Sequence, residues 1–170
     1  VVFLIPTQVD MLLGSLSQLP AKALPALRHV VCCGEPLKLQ TVQNFHARMA
    51  RHQQIHNVYG PTEASMTWQP CLRGATVPDA ARLSMPIGRA IDNTVVLLLD
   101  DDMRLVPDGI EGEICFGGCL AAGYLQGSLT AQRFVPNPYA SHMARLGSTG
   151  PPAPTLLRNA DSGVRLSAAS

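Results

Sequence analysis

Apolar residues come in short unbroken runs in the first third of the chain and in strand-length runs separated by turns further on. Val1-Val2-Phe3-Leu4-Ile5 closes at Pro6, and Leu27-Arg28-His29-Val30-Val31-Cys32-Cys33 closes at Gly34. Both runs predict strands covered on two faces. Between them Thr7 suits a helix cap, and Val9, Leu12, Leu13 and Leu16 fall on one helical face. Pro36 suits the first turn of a second helix, in which Leu39, Val42, Phe45 and Met49 recur at helical spacing. Gln54-Ile55-His56 reads as the end of a third strand, before a turn forced by Gly60-Pro61. Alternation of this kind predicts an α/β fold, a partial parallel β-sheet with covering helices over about residues 1–68. Ligands of such sheets gather at the carboxyl ends of the strands.

The rhythm then changes. Residues 70–84 carry Gly, Pro and Asp and read as loop. Thr94–Leu99 and Gly112–Gly118 are strand-like with no long helix between them, which predicts a small antiparallel β subdomain over about residues 85–125. Gly117-Gly118 reads as a bulge or turn. Asp100-Asp101-Asp102 lacks the spaced ligands and distal Glu of a calcium loop and reads as a hairpin turn. Leu129–Phe134 suits a short helix stopped by Pro136. After Tyr139 no aromatic residue occurs and Ser, Ala, Gly and Pro dominate. Residues 140–170 are therefore expected to form an irregular, degenerate or disordered tail, because so little apolar surface does not offset the entropy of ordering it.

Bulk composition narrows the function. With 46% hydrophobic residues the 170-residue chain holds enough apolar matter for a packed core. A formal net charge of +1 argues against binding nucleic acid or an anionic membrane through bulk charge. No apolar run reaches membrane-spanning length. The apolar start has no initiator Met and no basic leader, so it reads as a strand cut from something longer rather than as a signal peptide. Cys32, Cys33, Cys71, Cys115 and Cys119 have no disulfide or zinc spacing, and a reducing, cytoplasmic setting is the default.

The richest chemistry lies in Asn57-Val58-Tyr59-Gly60-Pro61-Thr62-Glu63. An amide can read a base edge, a phenol ring can stack on a base, a hydroxyl can reach phosphate, and a carboxylate can hold Mg²⁺. A surface turn with an incidental acidic residue is the alternative.

This stretch resembles the nucleotide-binding signature of adenylate-forming enzymes, and more narrowly the adenylation domains of nonribosomal peptide synthetases. Cys33-Gly34-Glu35, Gly112–Tyr124 and Leu129–Tyr139 resemble later or neighbouring motifs of that family in the same order. The resemblance makes residues 1–139 a fragment of the large N-terminal domain of such an enzyme. It implies ligase chemistry: an amino acid and ATP give an acyl-adenylate and pyrophosphate, and the acyl group then passes to phosphopantetheine on a carrier protein. It implies nucleotide contacts at Gly34, Asn57, Tyr59, Gly60 and Thr62, and Mg²⁺ at Glu63. The family's acyl-pocket positions correspond to Phe3, Val31, Cys33, Val58, Met66 and Thr67, mostly apolar, which suits an apolar amino acid. Partners would be the carrier domain and other synthetase modules.

The resemblance is incomplete. The usual arginine of the second motif is Ala122, and the loop before it is one residue short. No Gly-rich Ser/Thr phosphate loop with a lysine and no lid lysine is found, so the chain alone is expected to be inactive and no residue is assigned as catalytic. The family's Thr-Gly-Asp appears only as Thr149-Gly150-Pro151. Read one nucleotide earlier, Gly147–Pro151 permits Arg-Leu-Tyr-Arg-Thr, which suggests a frameshift after about Leu146. A non-catalytic docking module and an acyl-CoA-synthetase-like ligase are the alternatives.

Overall fold

The structure, a computed structural model, describes residues 1–16, 24–64, 67–74, 84–141, 155–159 and 165–167. They fall into two compact units, one of Val1–Tyr59 and Thr67–Arg89, the other of Gly60–Met66 and Ala90–Ser170.

The first unit is built on a sheet ordered β1-β2-β3-β4-β5, with β1 at Val2–Leu4, β2 at His29–Cys32, β3 at Gln54–Tyr59, β4 at Thr67–Cys71 and β5 at Arg89–Ala90. The first three strands run parallel, with Phe3 opposite Val31 and Val31 opposite His56. Helices α1 (Pro6–Ser15) and α2 (Leu39–Arg48) provide the two crossovers. They bury Val9 and Leu13 of α1 and Val42 and Phe45 of α2 against Val30, Cys32 and Ile55 of the sheet. Alternation explains this: Val30, Cys32 and Ile55 point to the helices, and His29, Val31, His56 and Val58 to the other face.

Four local expectations are corrected here. Thr7 is not the cap of α1; Ile5 holds that position and Pro6 opens the helix. Thr7 instead donates its amide and hydroxyl to the Glu35 carboxylate, at 3.1 and 2.6 Å. Helix α2 starts at Leu39 rather than near Pro36. Strand β1 is not covered on both faces, since Phe3 is 74% exposed. Strand β4 occupies residues 67–71, the last two of which were expected to be loop, and pairs antiparallel with β3. Pro70 hid it, because proline removes a ladder donor and belongs near sheet edges.

The second unit is antiparallel, as expected. Strands β6 (Thr94–Leu99) and β7 (Glu111–Gly118) pair from Thr94 opposite Gly118 to Leu99 opposite Glu113. Asp100 Oδ1 accepts the amides of Asp102 and Arg104 at 2.9 and 2.8 Å in the connecting turn. Gly118 ends β7 at φ +104°, and a Cβ there would sit 2.0 Å from the Asn93 carbonyl oxygen. The expected bulge or turn at Gly117-Gly118 is thus corrected: both residues are strand, in unbroken register with Val95 and Thr94, and the need for glycine at 118 is steric. Helix α3 (Gly127–Arg133) leads straight into β8 (Phe134–Pro136).

The expectation of a poorly packed tail is corrected for Thr155–Arg158, which forms β9 between β7 and β8. Leu156 is fully buried with Leu99 and Cys115, and Leu157 is 2% exposed. Two adjacent leucines supply the apolar surface that the segment's overall composition conceals. A further strand, β10 (Arg165–Ser167), pairs with residues 111–113 of β7, on the edge that β6 leaves open. Thr149-Gly150-Pro151 and the suspected frame change lie outside the described residues.

Candidate functional site

Strand β3 runs on through Tyr59 rather than ending near His56, so Asn57, Val58 and Tyr59 are strand and the turn begins at Gly60. Asn57 is buried, and its Nδ2 donates to the carbonyls of Pro86 at 2.8 Å and Met85 at 3.5 Å. Those bonds fix the amide with Oδ1 as the remaining acceptor, the polarity that an exocyclic amino group requires. Tyr59 is half-buried at the carboxyl end of β3.

Gly60, Thr62 and Glu63 belong to the second unit. Thr62 is exposed and Glu63 half-buried in the turn. The turn is stitched to residues 120–124: the Glu63 carbonyl accepts the Ala121 amide at 2.8 Å, and Ala64 bridges to Leu120. The Tyr124 hydroxyl donates to Glu63 Oε1 at 2.7 Å. That carboxylate raises the Tyr124 phenol above its ordinary range, first through the hydrogen bond. Tyr124 is held in turn: its amide donates to Thr130 Oγ1 at 2.8 Å, and its ring meets Phe134 edge-on, centroids 5.8 Å apart. Gly123, at φ +134°, allows this approach, since a Cβ would lie 2.7 Å from Thr130 Cγ2. The Tyr124–Glu63 bond spans 61 residues, and no local signal in the sequence reveals it.

The predicted acyl-pocket positions separate into two groups. Phe3, Val31 and Val58 share the face of the sheet that α1 and α2 do not cover, where Phe3 and Val31 are direct register partners. Thr67 lies on the opposite face as partner of Tyr59; it is buried, with Oγ1 2.7 Å from the Ile87 carbonyl and 3.2 Å from that of Tyr59. Cys33 is half-buried just after β2, where its amide bonds the Leu4 carbonyl. Met66 lies outside the described residues. Gly34 is exposed in the following turn, and the neighbouring Glu35 carboxyl is held low by the Thr7 hydroxyl and amide.

On the same uncovered face stands a chain of ring hydrogen bonds that the sequence did not suggest. Trp68 Nε1 donates to His56 Nδ1 at 3.1 Å, which makes His56 Nε2 the donor to His29 Nδ1, also at 3.1 Å. Burial, then the nearby His29, pushes the His56 pKa below its ordinary value. Two surface depressions, of about 300 and 550 Å³, lie at the C-terminal end of α2 around His46 and Arg73 and include no predicted site residue. Burial drives the thiol pKa of Cys32 to about 12, of Cys71 to about 11 and of Cys115 to about 12. These thiols act as core hydrophobes. Among the described residues no three His, Cys, Asp or Glu side chains gather to cage a metal, and no helix is long and apolar enough to cross a membrane.

Comparison with known proteins agrees with the motif resemblance. The profile of the family described as AMP-binding enzyme matches residues 1–125. Phosphinothricin tripeptide synthetase PhsB of Streptomyces viridochromogenes is 38% identical over 129 residues, 74% of this chain and 10% of that protein. Vanchrobactin synthetase VabF of Vibrio anguillarum is 40% identical over 119 residues, 68% of this chain and 4% of that protein. Enterobactin synthase component F of Escherichia coli is 33% identical over 141 residues, 80% of this chain and 11% of that protein. A solved nonribosomal peptide synthetase protein containing adenylation and PCP domains superposes with a TM-score of 0.70 at 25% identity, over 99% of this chain and 33% of that one. The N-terminal subdomain of Klebsiella oxytoca NpsA, solved with 3-hydroxybenzoyl-AMSN, shares the fold at 20% identity and a TM-score of 0.68, over 97% of this chain and 38% of that one. The chain thus spans only a small part of the curated relatives it matches.

Proposed function

The chain belongs to the AMP-binding enzyme family, in its nonribosomal-peptide-synthetase adenylation branch, and on that premise we propose that it forms part of an amino-acid-activating site. The observation that carries the proposal is the stretch Asn57–Glu63, which lies inside the matched residues 1–125 and carries in sequence an amide fixed as an acceptor, a half-buried phenol, an exposed hydroxyl and a half-buried carboxylate. Asn57 Oδ1 accepts the adenine amino group, the Tyr59 ring stacks on the purine, and the Thr62 hydroxyl meets phosphate. Gly34 and Gly60 let backbone approach the nucleotide.

Glu63 is the residue suited to Mg²⁺. A hard cation that keeps water and substrate phosphate as its other ligands needs one or two carboxylates, not an all-protein cage. The local chemistry fits that requirement: one half-buried carboxylate stands in the turn, with Oε1 taken by the Tyr124 hydroxyl at 2.7 Å. Bound there, Mg²⁺ would offset charge on the phosphates. The remaining work of the chain is to orient: Phe3, Val31 and Val58 offer an apolar wall for an amino-acid side chain, with Cys33 next to them at the end of β2, whereas Thr67 faces the other side of the sheet and takes no part in that wall. The acyl group would leave to the phosphopantetheine thiol of a carrier domain, a partner suggested by the adenylation and PCP domains of the similar solved protein.

Two measurements test this reading. Equilibrium dialysis of the 170-residue chain with radiolabelled ATP should show saturable binding that Tyr59→Ala weakens. Amino-acid-dependent pyrophosphate exchange should be absent from the chain alone, and present, with preference for an apolar amino acid, in a full-length synthetase carrying these residues. Failure of the chain to bind ATP overturns the reading. Exchange by the chain alone overturns its proposed inactivity, and preference for an acidic amino acid overturns the assignment of the pocket.

A further inference from the structure

We propose that Tyr124 is a positioning residue for the cation that accompanies the nucleotide, fixing Glu63 so that Oε2 is the oxygen this carboxylate would offer to the metal. The inference rests on the nucleotide reading above. The hydroxyl of Tyr124 takes Oε1 at 2.7 Å. A carboxylate with one oxygen engaged loses its free rotation, and one defined oxygen remains to face a metal.

Three further contacts show that this is a built arrangement. The backbone of the carboxylate-bearing residue is itself fastened, its carbonyl accepting the Ala121 amide at 2.8 Å. Thr130 Oγ1 lies 2.8 Å from the Tyr124 amide and 3.2 Å from its carbonyl, so one hydroxyl grips both polar backbone groups of that residue. Gly123 makes room for the grip, and Phe134 supports the ring from its edge. The phenol reaches Glu63 from a rigid base, which a flexible lysine or glutamine would not provide. It is also neutral, so it orients the carboxylate without offsetting the negative charge that attracts the cation. An arginine in its place would compete with the metal for that charge.

The test uses Mn²⁺ as a paramagnetic stand-in for Mg²⁺, with the full 170-residue chain and its Tyr124→Phe, Glu63→Gln and doubly substituted forms. Free Mn²⁺ is read by electron paramagnetic resonance in the presence of ATP, and ATP affinity is read separately in EDTA. Loss of a hydrogen bond to a metal-bound carboxylate lowers metal affinity by about 10- to 100-fold. Tyr124→Phe should therefore weaken Mn²⁺·ATP about tenfold, leave metal-free ATP unchanged, and add nothing in the Glu63→Gln background. A merely structural tyrosine would weaken metal-free ATP as well and would still matter without the carboxylate. Either of those results, or unaltered Mn²⁺·ATP affinity in Tyr124→Phe, overturns the inference while leaving the nucleotide reading standing. Wild-type chain that binds neither form of ATP overturns both.

Discussion

Replacing Arg158 with methionine should cost the second unit about 2 kcal/mol. Arg158 sits on β9 and donates through Nε and Nη2 to Glu113 Oε2 on β7, at 2.9 and 2.5 Å. Glu113 Oε1 is buried and has no hydrogen-bond partner among the described residues. Removing the guanidinium thus leaves a carboxylate with neither oxygen paired. Breaking a fully buried pair in this way costs about 3–5 kcal/mol. The Arg158 side chain is 30% exposed and that of Glu113 16%, so water relieves part of that penalty, and a pair at the surface is worth at most about 1 kcal/mol. An intermediate value near 2 kcal/mol follows. The sign of a second substitution is more informative. Glu113→Gln added to Arg158→Met removes the stranded charge and should restore at least half of the loss, because desolvation of the carboxylate is the larger cost. Urea unfolding of the wild type, of Arg158→Met, of Glu113→Gln and of the double variant, compared at constant m-value, reads both quantities. A loss below about 0.5 kcal/mol for Arg158→Met, or a double variant less stable than the single one, would refute this account of the pair.

Three further outcomes follow from the same structure. Leu156→Ala should destabilise by about 2–5 kcal/mol, the range for a buried leucine, and the amides of Leu156 and Leu157 should be protected from hydrogen exchange; free exchange there would restore the expectation of an unpacked tail. His56 is a base with a lowered pKa, so the stability it contributes is complete above the ordinary value of 6.5 and is lost as pH falls through its lower folded value. The fluorescence of Trp68, the one tryptophan in the chain, should change in that acid window, and His56→Gln should abolish the change. Gly123→Ala should cost about 1–3 kcal/mol, because both its backbone conformation and the Thr130 contact forbid a side chain; a neutral outcome in thermal unfolding would dissolve the rigid base assigned to Tyr124.

The parallel half of the fold was legible because short apolar runs alternate there with segments of helical spacing. Val30 and Cys32, Ile55, Val42 and Phe45 all reach the core that their spacing predicts. Boundaries were less legible. Ile5 caps α1 without a polar side chain, using its backbone and the Gln8 side chain instead, so Thr7 was the natural but wrong choice. Strand β4 was read partly as loop because Pro70 and Gln69 carry none of the usual signals. Strand β9 was missed because Leu156-Leu157 is a short apolar island in a small-residue segment, and only its partners on β7 and β8 make it a strand. Within the candidate site, the chemistry of Asn57, Tyr59, Thr62 and Glu63 could be read from residue type. What could not be read was the company they keep: Pro86 for the amide, Tyr124 for the carboxylate. Both contacts are made across long stretches of sequence, and the sheet and turns must exist before either is defined.

The place of β9 bears on the order in which the molecule is made. All the strands of the first sheet have left the ribosome by Ala90, so that half can acquire its pairing while synthesis continues. The hairpin of β6 and β7, by contrast, emerges with one flank bare and waits until Thr155–Arg158 has been made to cover it. Non-local closure of this kind is slow, and the waiting edge is open to pairing with other nascent chains. Growth rate and chaperone supply should therefore bear on the closing of this second sheet more than on the pairing of the first.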